Sequence, residues 1–521
     1  MKRMRFWALG AVLVLAAYIV LFASPHYEPG DDAVLLYSLL AGESYSLYTH
    51  TLLHWLLLGL TALFPRVAWL SVWQMAMLAL GAYASLTGGM RLAKRLGLPV
   101  WTGFSLAFAC CAVMVIPCAN NVTYTLTGAV LGMAAVWQLL GRGKAGVSII
   151  YLLLGFSLRD ASVLPSLCFW LGGLICLWKL ESMPFRKLLR WAGLCVLSLA
   201  LMAGLHEAQA AWCGEREYAD WQQSRIAAMD YGDVSAYEGW TESERALVRE
   251  WCFLDEGVTK EALDAVPHRE PSLDTLRLLL AKNRWMYWMT ALVCGLLLCG
   301  GLGRGWWPRL AALCGIGLCA AMLLALAWRG RLPARAAATV LFPAFAFGVY
   351  LLLRLPKRRR MAAMLAVCVL LLPCLRQAWV QSHQPKPAAR ETVFTRLDEY
   401  AVEHPDELII GDGSIGRDPT LFPVRAQGFA NNLLLCWGGW NTHSEGYRAV
   451  MASFGYEHHS FRIASFLDPA IRLAVKQGAA PSANLMAVME EQTGTSVEAV
   501  LCYEGDGFAV YRFETRNPLA G

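Results

Sequence analysis

Along its first 380 positions the chain alternates long apolar stretches with short polar punctuation, and after Gln381 that alternation stops. Most stretches run roughly 17 to 23 residues, enough for a helix rising about 1.5 Å per residue to cross a hydrocarbon core of about 30 Å. They fall at about 6–23, 67–89, 99–117, 122–140, 146–158, 162–178, 191–211, 285–302, 307–327, 336–353 and 361–380, which predicts about eleven transmembrane helices. One more apolar run, Thr49 to Phe64, contains His54 and is closed by Pro65. At about 15 residues it is short for a crossing and suits a helix lying at the membrane surface. The polar remainder forms an outer loop at 24–66, a second outer piece at 212–284 and a C-terminal region at 381–521. The second piece is acidic, with helical patterning around Ser243–Glu250 and Leu273–Leu280.

The C-terminal region mixes helix-like segments (Glu391–Val402, Ser482–Glu491) with short strand-like ones (Leu408–Ile410, Leu433–Cys436, Ala499–Tyr503, Phe508–Phe513). That mixture predicts a small α/β domain. The expected organisation is a transmembrane region at 1–380 and an extracytoplasmic α/β domain at 381–521, joined by the linker Gln384-Pro-Lys-Pro387.

Charge fixes the direction of threading, because short cytoplasmic loops are enriched in Lys and Arg. Lys2, Arg3 and Arg5 place the N-terminus inside. If 49–64 does not span, one parity also puts inside Arg91, Lys94 and Arg95, then Arg142 and Lys144, then Lys179, Arg186, Lys187 and Arg190. The same parity covers Arg304 and Arg309, and the run Lys357-Arg358-Arg359-Arg360. The expectation is a multi-pass plasma-membrane protein with a cytoplasmic N-terminus and an outer C-terminal domain. No small-x-small site closes the first apolar run at Pro25 and many more spans follow, so that run is read as a retained helix and not a cleaved signal.

Apolar residues make up 57% of the 521 positions and charged residues 16%, where an ordinary soluble domain carries about 25% charged. The net charge of +6 is spent on orientation in the loops and does not point to nucleic acid. Sixteen cysteines show no metal-ligand spacing. Those in spans, such as Cys110, Cys111, Cys195, Cys314 and Cys319, behave as small hydrophobes. Cys213, Cys252, Cys436 and Cys502 lie in outer parts, where a disulfide among them depends on the redox compartment.

Charged residues at span mouths are costly and therefore draw attention as functional. Asp31-Asp32 follows the first span and opens the apolar segment Ala33–Leu40. Either carboxylate suits a general base or a ligand for a divalent cation, since burial and a like charge raise its pKa. An Asp N-cap on a surface helix explains the same pair. Arg329, Arg331 and Arg335 stand at an outer mouth, against the positive-inside trend. Their forked guanidiniums suit a phosphate or diphosphate headgroup, and snorkelling to anionic lipids is the plainer account.

Arg159-Asp160 follows a span of only about 13 residues, as in a broken helix lining a cavity or a self-satisfied ion pair. Asn120-Asn121, before Thr123, Thr125 and Thr127, suits sugar hydroxyls or ordinary interhelical hydrogen bonding. Arg225, Asp230-Tyr231, Gly239-Trp240 and Trp251 in the second outer piece combine aromatic and charged groups, as carbohydrate binding requires. A solvated loop accounts for them equally. Gly411-Asp-Gly-Ser-Ile-Gly416 after a strand, and Gly438-Gly-Trp-Asn441, read as turns without the lysine of a phosphate loop.

Several of these segments carry a resemblance: Gly30-Asp-Asp-Ala, Thr123-Tyr-Thr, Leu158-Arg-Asp, Arg225 with Asp230-Tyr231, Gly239-Trp240 and Trp437-Gly-Gly-Trp440. With the span pattern and outer C-terminal domain, they resemble the GT-C superfamily of membrane glycosyltransferases, and within it a Firmicutes-type group. The resemblance covers most of the chain through short motifs. It implies a polyprenyl-phosphate-linked sugar donor and a glycan acceptor in the cell envelope. It also implies Asp31 or Asp32 as the catalytic acidic residue and Arg329, Arg331 or Arg335 on the donor phosphate. Many such enzymes carry a second acidic motif in the next outer loop. This chain has Asn120-Asn121 there, so the resemblance does not extend to a two-carboxylate metal site.

Two other functions remain open on sequence grounds. One is a transporter or flippase of a lipid-linked or anionic solute, with Arg159-Asp160 lining its path. The other is an envelope scaffold on the same fold.

Overall fold

The computed structural model describes residues 2–23, 25–27, 31–142, 145–270, 284–329, 332–383, 391–415, 430–457 and 460–516. Of the segments read above, Leu273–Leu280, Arg331, Lys144, the linker at 384–387 and Gly416 lie outside the described residues, as do the side chains of Asp31, Arg142, Cys436 and Trp440.

Nine helices among the described residues are long and apolar enough to cross a membrane. They are α1 (Lys2–Phe22), α4 (Trp69–Arg95), α5 (Val100–Asn120), α6 (Tyr124–Arg142), α8 (Asp160–Glu181), α9 (Phe185–Trp212), α14 (Trp306–Trp328), α15 (Ala334–Leu353) and α16 (Lys357–Ser382). Two shorter apolar helices, α7 (Gly146–Leu158) and α13 (Arg284–Gly301), complete a bundle of eleven. Glycines let these helices approach closely, as apolar helix packing in lipid requires. A Cβ added at Gly103 of α5 would stand 2.0 Å from the carbonyl oxygen of Gly89 on α4.

The surface helix expected at 49–64 is α3 (Thr51–Leu63), 13 residues and about 20 Å long. Both of its flanks stand at the same end of the bundle. The His50 amide donates to Ser157 at the end of α7 (2.9 Å). On the far side, Tyr27 meets Ser71 in the first turn of α4 (2.6 Å). The chain therefore returns to its starting face without crossing, because 13 residues fall short of the hydrocarbon thickness.

At the opposite end of the bundle Glu181 gathers the ends of three helices. It accepts from Arg95 of α4 (3.1 Å), from Arg354 just past α15 (2.9 Å) and from the Tyr350 hydroxyl (2.9 Å).

The polar piece between α9 and α13 folds as α10 (Arg216–Tyr231), α11 (Glu242–Arg249) and α12 (Lys260–Asp264). A capping box starts α11: Thr241 accepts from the Glu244 amide and Glu244 accepts from the Thr241 amide. The C-terminal region holds α17 (Glu391–Glu403), α18 (Glu445–Ser453) and α19 (Ala483–Thr493) around a five-stranded sheet of order β4-β3-β5-β7-β6. Its strands are β3 (Leu408–Gly411), β4 (Leu433–Leu434), β5 (Ile471–Lys476), β6 (Val497–Gly505) and β7 (Phe508–Thr515). β4, β3 and β5 run parallel; β7 and β6 form an antiparallel hairpin on one side. Leu247, Cys252 and Leu254 of the piece that carries α10 to α12 share a core with Ile410, Leu473 and Phe513 of this sheet. Cys213, Cys252 and Cys502 are free thiols.

Candidate functional site

The loop between α1 and α3 is pinned at its start. β1 (His26–Tyr27) pairs in parallel with β2 (Asn121–Val122), so His26 faces Asn121 in the connection between α5 and α6. Helix α2 (Asp31–Leu40) begins immediately after, and Asp32 is 1% exposed. Its Oδ1 accepts from Gln74 Nε2 of α4 (2.8 Å) and from the Tyr124 amide at the start of α6 (2.8 Å). A carboxylate at a helix N-terminus satisfies an orphan N–H and interacts favourably with the helix dipole. Asp32 therefore joins three elements, with partners 42 and 92 residues away.

Tyr124 extends the cluster. Its hydroxyl accepts from Arg159 Nη1 (2.8 Å). The Arg159 guanidinium also lies over the rings of Tyr48 (5.0 Å) and Tyr124 (5.1 Å), which tilt together at 5.7 Å. Arg159 is placed there by the break expected from sequence: α7 stops at Leu158, Arg159 is extended (φ −161°, ψ 115°) and α8 starts at Asp160. An acid and an arginine from separate predicted motifs thus meet through Tyr124, while Asp160 is exposed.

A ring of histidines borders the cluster. His50 stacks on Phe156 (4.5 Å) and meets His206 of α9 at 4.6 Å; His206 stacks on Tyr45 (5.3 Å). His54 Nε2 donates to the Glu43 carbonyl (2.8 Å). Burial first, then the neighbouring His206, push His50 down to about 4, with Asp160 opposing. Burial likewise raises Glu43 above the usual carboxylate range, against hydrogen bonds from Ser38, Ser444 and Gly446.

The C-terminal region and the piece that carries α10 close over this loop through charged contacts. Glu43 Oε1 accepts from the Ser444 hydroxyl (2.7 Å) and the Gly446 amide (3.2 Å). Ser44 donates to Glu445 through both its amide and its hydroxyl (2.8 and 2.7 Å). Arg448 grips Glu215 with two nitrogens, one at 3.1 Å. The C-terminal domain therefore sits on the same end of the bundle as Asp32.

The remaining predicted residues separate. Asn120 donates to the Gln381 carbonyl at the end of α16 (3.1 Å), and Asn121 is held in the two-strand pairing. Arg225 is fully buried in α10, donates to Gln222 (2.7 Å) and lies 5.6 Å from the rings of Trp251 and Phe253. Asp230 and Tyr231 end that helix, and Arg329 stands over the Tyr231 ring at 5.7 Å. Arg335 is half-buried in the first turn of α15. Asp412 of the glycine-rich turn accepts from the Ser414 and Ile415 amides, so that turn is explained by its own geometry. Among the described residues no group of three or more His, Cys, Asp or Glu side chains is arranged to hold a metal ion.

Sequence reasoning missed Gln74, Tyr48 and Glu43. Gln74 had a signal: an amide inside an apolar span, here in its second turn, is expensive and finds a partner. Tyr124 lay inside a quoted motif with no role assigned.

No family model matches the chain, and no curated protein is similar to it. Among solved structures, one from mycobacteria described as the arabinofuranosyltransferase AftD matches with a TM-score of 0.48 and 14% identity. That match covers 98% of this chain and 40% of the other, so the chain spans under half the length of that protein.

Proposed function

We propose that the protein is a membrane glycosyltransferase that moves a sugar from a polyprenyl-phosphate donor to an envelope glycan at the outer membrane face. The observation that carries the reading is the cluster of Asp32, Tyr124 and Arg159. A buried carboxylate holds the backbone amide of Tyr124 and a guanidinium holds its hydroxyl, at the end of the bundle where the C-terminal domain packs. Buried ionisable groups at such positions are expensive and mark sites of chemistry or passage.

In this reading Asp32, with Asp31 beside it in sequence, takes the proton of the acceptor hydroxyl as that oxygen bonds to the anomeric carbon. The bond from that carbon to the donor phosphate oxygen breaks, and its electron pair leaves with the phosphate. Fixed positive charge stabilises the phosphate as its charge grows. Arg159 supplies it on the Asp32 side, and Arg329, Arg331 and Arg335 are assigned to the donor headgroup. The acceptor glycan is assigned to the outer face built by α10, with Asp230 and Tyr231, and by the C-terminal domain. The N-terminus is assigned to the cytoplasm and the C-terminal domain to the outside, following the basic loops.

The test uses full-length protein in proteoliposomes supplied with polyprenyl-phosphate sugars and an envelope glycan. The expected result is free polyprenyl phosphate and a lengthened glycan in equal amounts. Movement of the lipid or of a solute across the bilayer with the sugar still attached would point to transport instead.

A further inference from the structure

The end of the bundle opposite Asp32 carries a feature the proposed reaction does not use. Between α8 and α14 lies an apolar cleft of about 340 Å³, within the size range of cavities that hold small molecules. It runs along α8 from Cys168 to Leu180, about 18 Å at 1.5 Å per residue. That is close to half the hydrocarbon thickness, about 15 Å. The cleft exists because of small residues. A Cβ on Gly172 would meet only the Phe347 ring, at 3.7 Å, so this position of α8 leaves room in the slot. Ile175 on its wall is an exposed apolar side chain, as a surface facing lipid tails would have.

The mouth has the opposite character. Lys179 lines it, with Nζ 3.5 Å over the Trp178 ring and 4.9 Å from Trp307. Tryptophans at that depth mark a membrane interface. The neighbouring acid, Glu181, is already shared by Arg95 and Arg354. One carboxylate against Arg95, Arg354 and Lys179 leaves a surplus of positive charge at the cleft's entrance.

We propose that this cleft is a binding site for an anionic phospholipid of the leaflet bordering Glu181, its phosphate at Lys179 and one acyl chain lying along α8 toward Cys168. The occupant follows from the page: a chain-length apolar slot, one leaflet deep, that ends at an unbalanced cationic and aromatic rim. The site is separate from the Asp32 cluster and does not depend on the glycosyltransferase reading.

The test reconstitutes the full chain into nanodiscs of mixed phosphatidylglycerol and phosphatidylcholine, with one lipid at a time bearing a photoactivatable acyl chain. Cross-linked peptides are then mapped by mass spectrometry. Cross-links should concentrate on 168–180 and 307–318, with phosphatidylglycerol favoured about fivefold, the weight of one lysine near an anionic surface. Lys179→Gln should abolish the headgroup preference while cross-linking persists. Gly172→Leu should fill the slot and remove the cross-links, and Gly172→Ala, whose Cβ makes an ordinary contact, should keep them. Unchanged elution and melting of each variant exclude a folding failure. Cross-links spread evenly over the bundle, equal labelling by both lipids in the wild type, or labelling unaffected by Gly172→Leu would each overturn the proposal.

Discussion

Replacing Arg448 with alanine should loosen the outer domain from the membrane bundle by an amount the structure sets. Glu215, at the entry to α10, is 3% exposed in its side chain and Arg448 is 28% exposed. The two form a bidentate pair, and Arg448 also donates to the His443 carbonyl. Arg448→Ala leaves a buried carboxylate without its cation, a change that costs about 3–5 kcal/mol. Because Arg448 is partly wet, the lower end, about 3 kcal/mol, is the reasonable figure, and at about 1.4 kcal/mol per decade it means roughly a hundredfold faster opening. Hydrogen exchange read at amides 216–222 and 445–453 measures this directly. The double change Glu215→Gln with Arg448→Met removes both charges and should restore most of the protection, since a buried pair contributes little beyond its own desolvation. Exchange in Arg448→Ala equal to wild type, or a double variant as loose as the single one, would refute the reasoning.

Three further outcomes follow from the same geometry. Burial holds the Glu43 carboxyl above its ordinary range, so the fold favours its protonated form. Its contribution to docking is therefore full below the ordinary carboxylate pKa and declines as pH rises through the raised value. Glu43→Gln should flatten that decline in exchange at Ser444 to Tyr447. His50 is held at about 4, below its ordinary 6.5, so its neutral form stabilises the fold above pH 6.5 and that stability drains away as pH falls toward 4. His50→Phe, stacking on Phe156, should reduce acid lability over that window by on the order of 3 kcal/mol, read from thermal melts at stepped pH. For threading, the exposed native Cys502 should react with an impermeant thiol reagent in intact cells, and Lys94→Cys should react only after the membrane is opened; the reverse pattern would invert the orientation.

Much of the bundle was legible because hydrocarbon demands long apolar helices, and hydropathy reads that demand directly. The surface helix at Thr51–Leu63 was legible through its shortness and the charge parity together, and the helix break through the charged pair Arg159-Asp160. Strand β5 was missed although it alternates: Ile471, Leu473 and Val475 enter one core while Arg472, Ala474 and Lys476 stand on the other face. Helix α10 also escaped, since its apolar face is fixed by Trp251 and Phe253 beyond its own sequence. At the candidate site the charges could be picked out one by one, but not their company. Asp32 meets Gln74 and Tyr124 only through the packing of α4 against α6, and neighbours in space that are 42 and 92 residues apart leave no local pattern. Arg225 stood out as charged, yet its complete burial depends on aromatic rings from a later loop.

The central claim is that the Asp32 carboxylate takes the acceptor proton. Asp32→Asn tests it most directly, because the amide oxygen still accepts from Gln74 and from the Tyr124 amide and so preserves the junction of α2, α4 and α6. In proteoliposomes with a polyprenyl-phosphate sugar donor, kcat should fall about 10²–10⁴-fold, the usual weight of a general base, with donor KM nearly unchanged. Turnover in Asp32→Asn equal to that of the wild type would contradict the account.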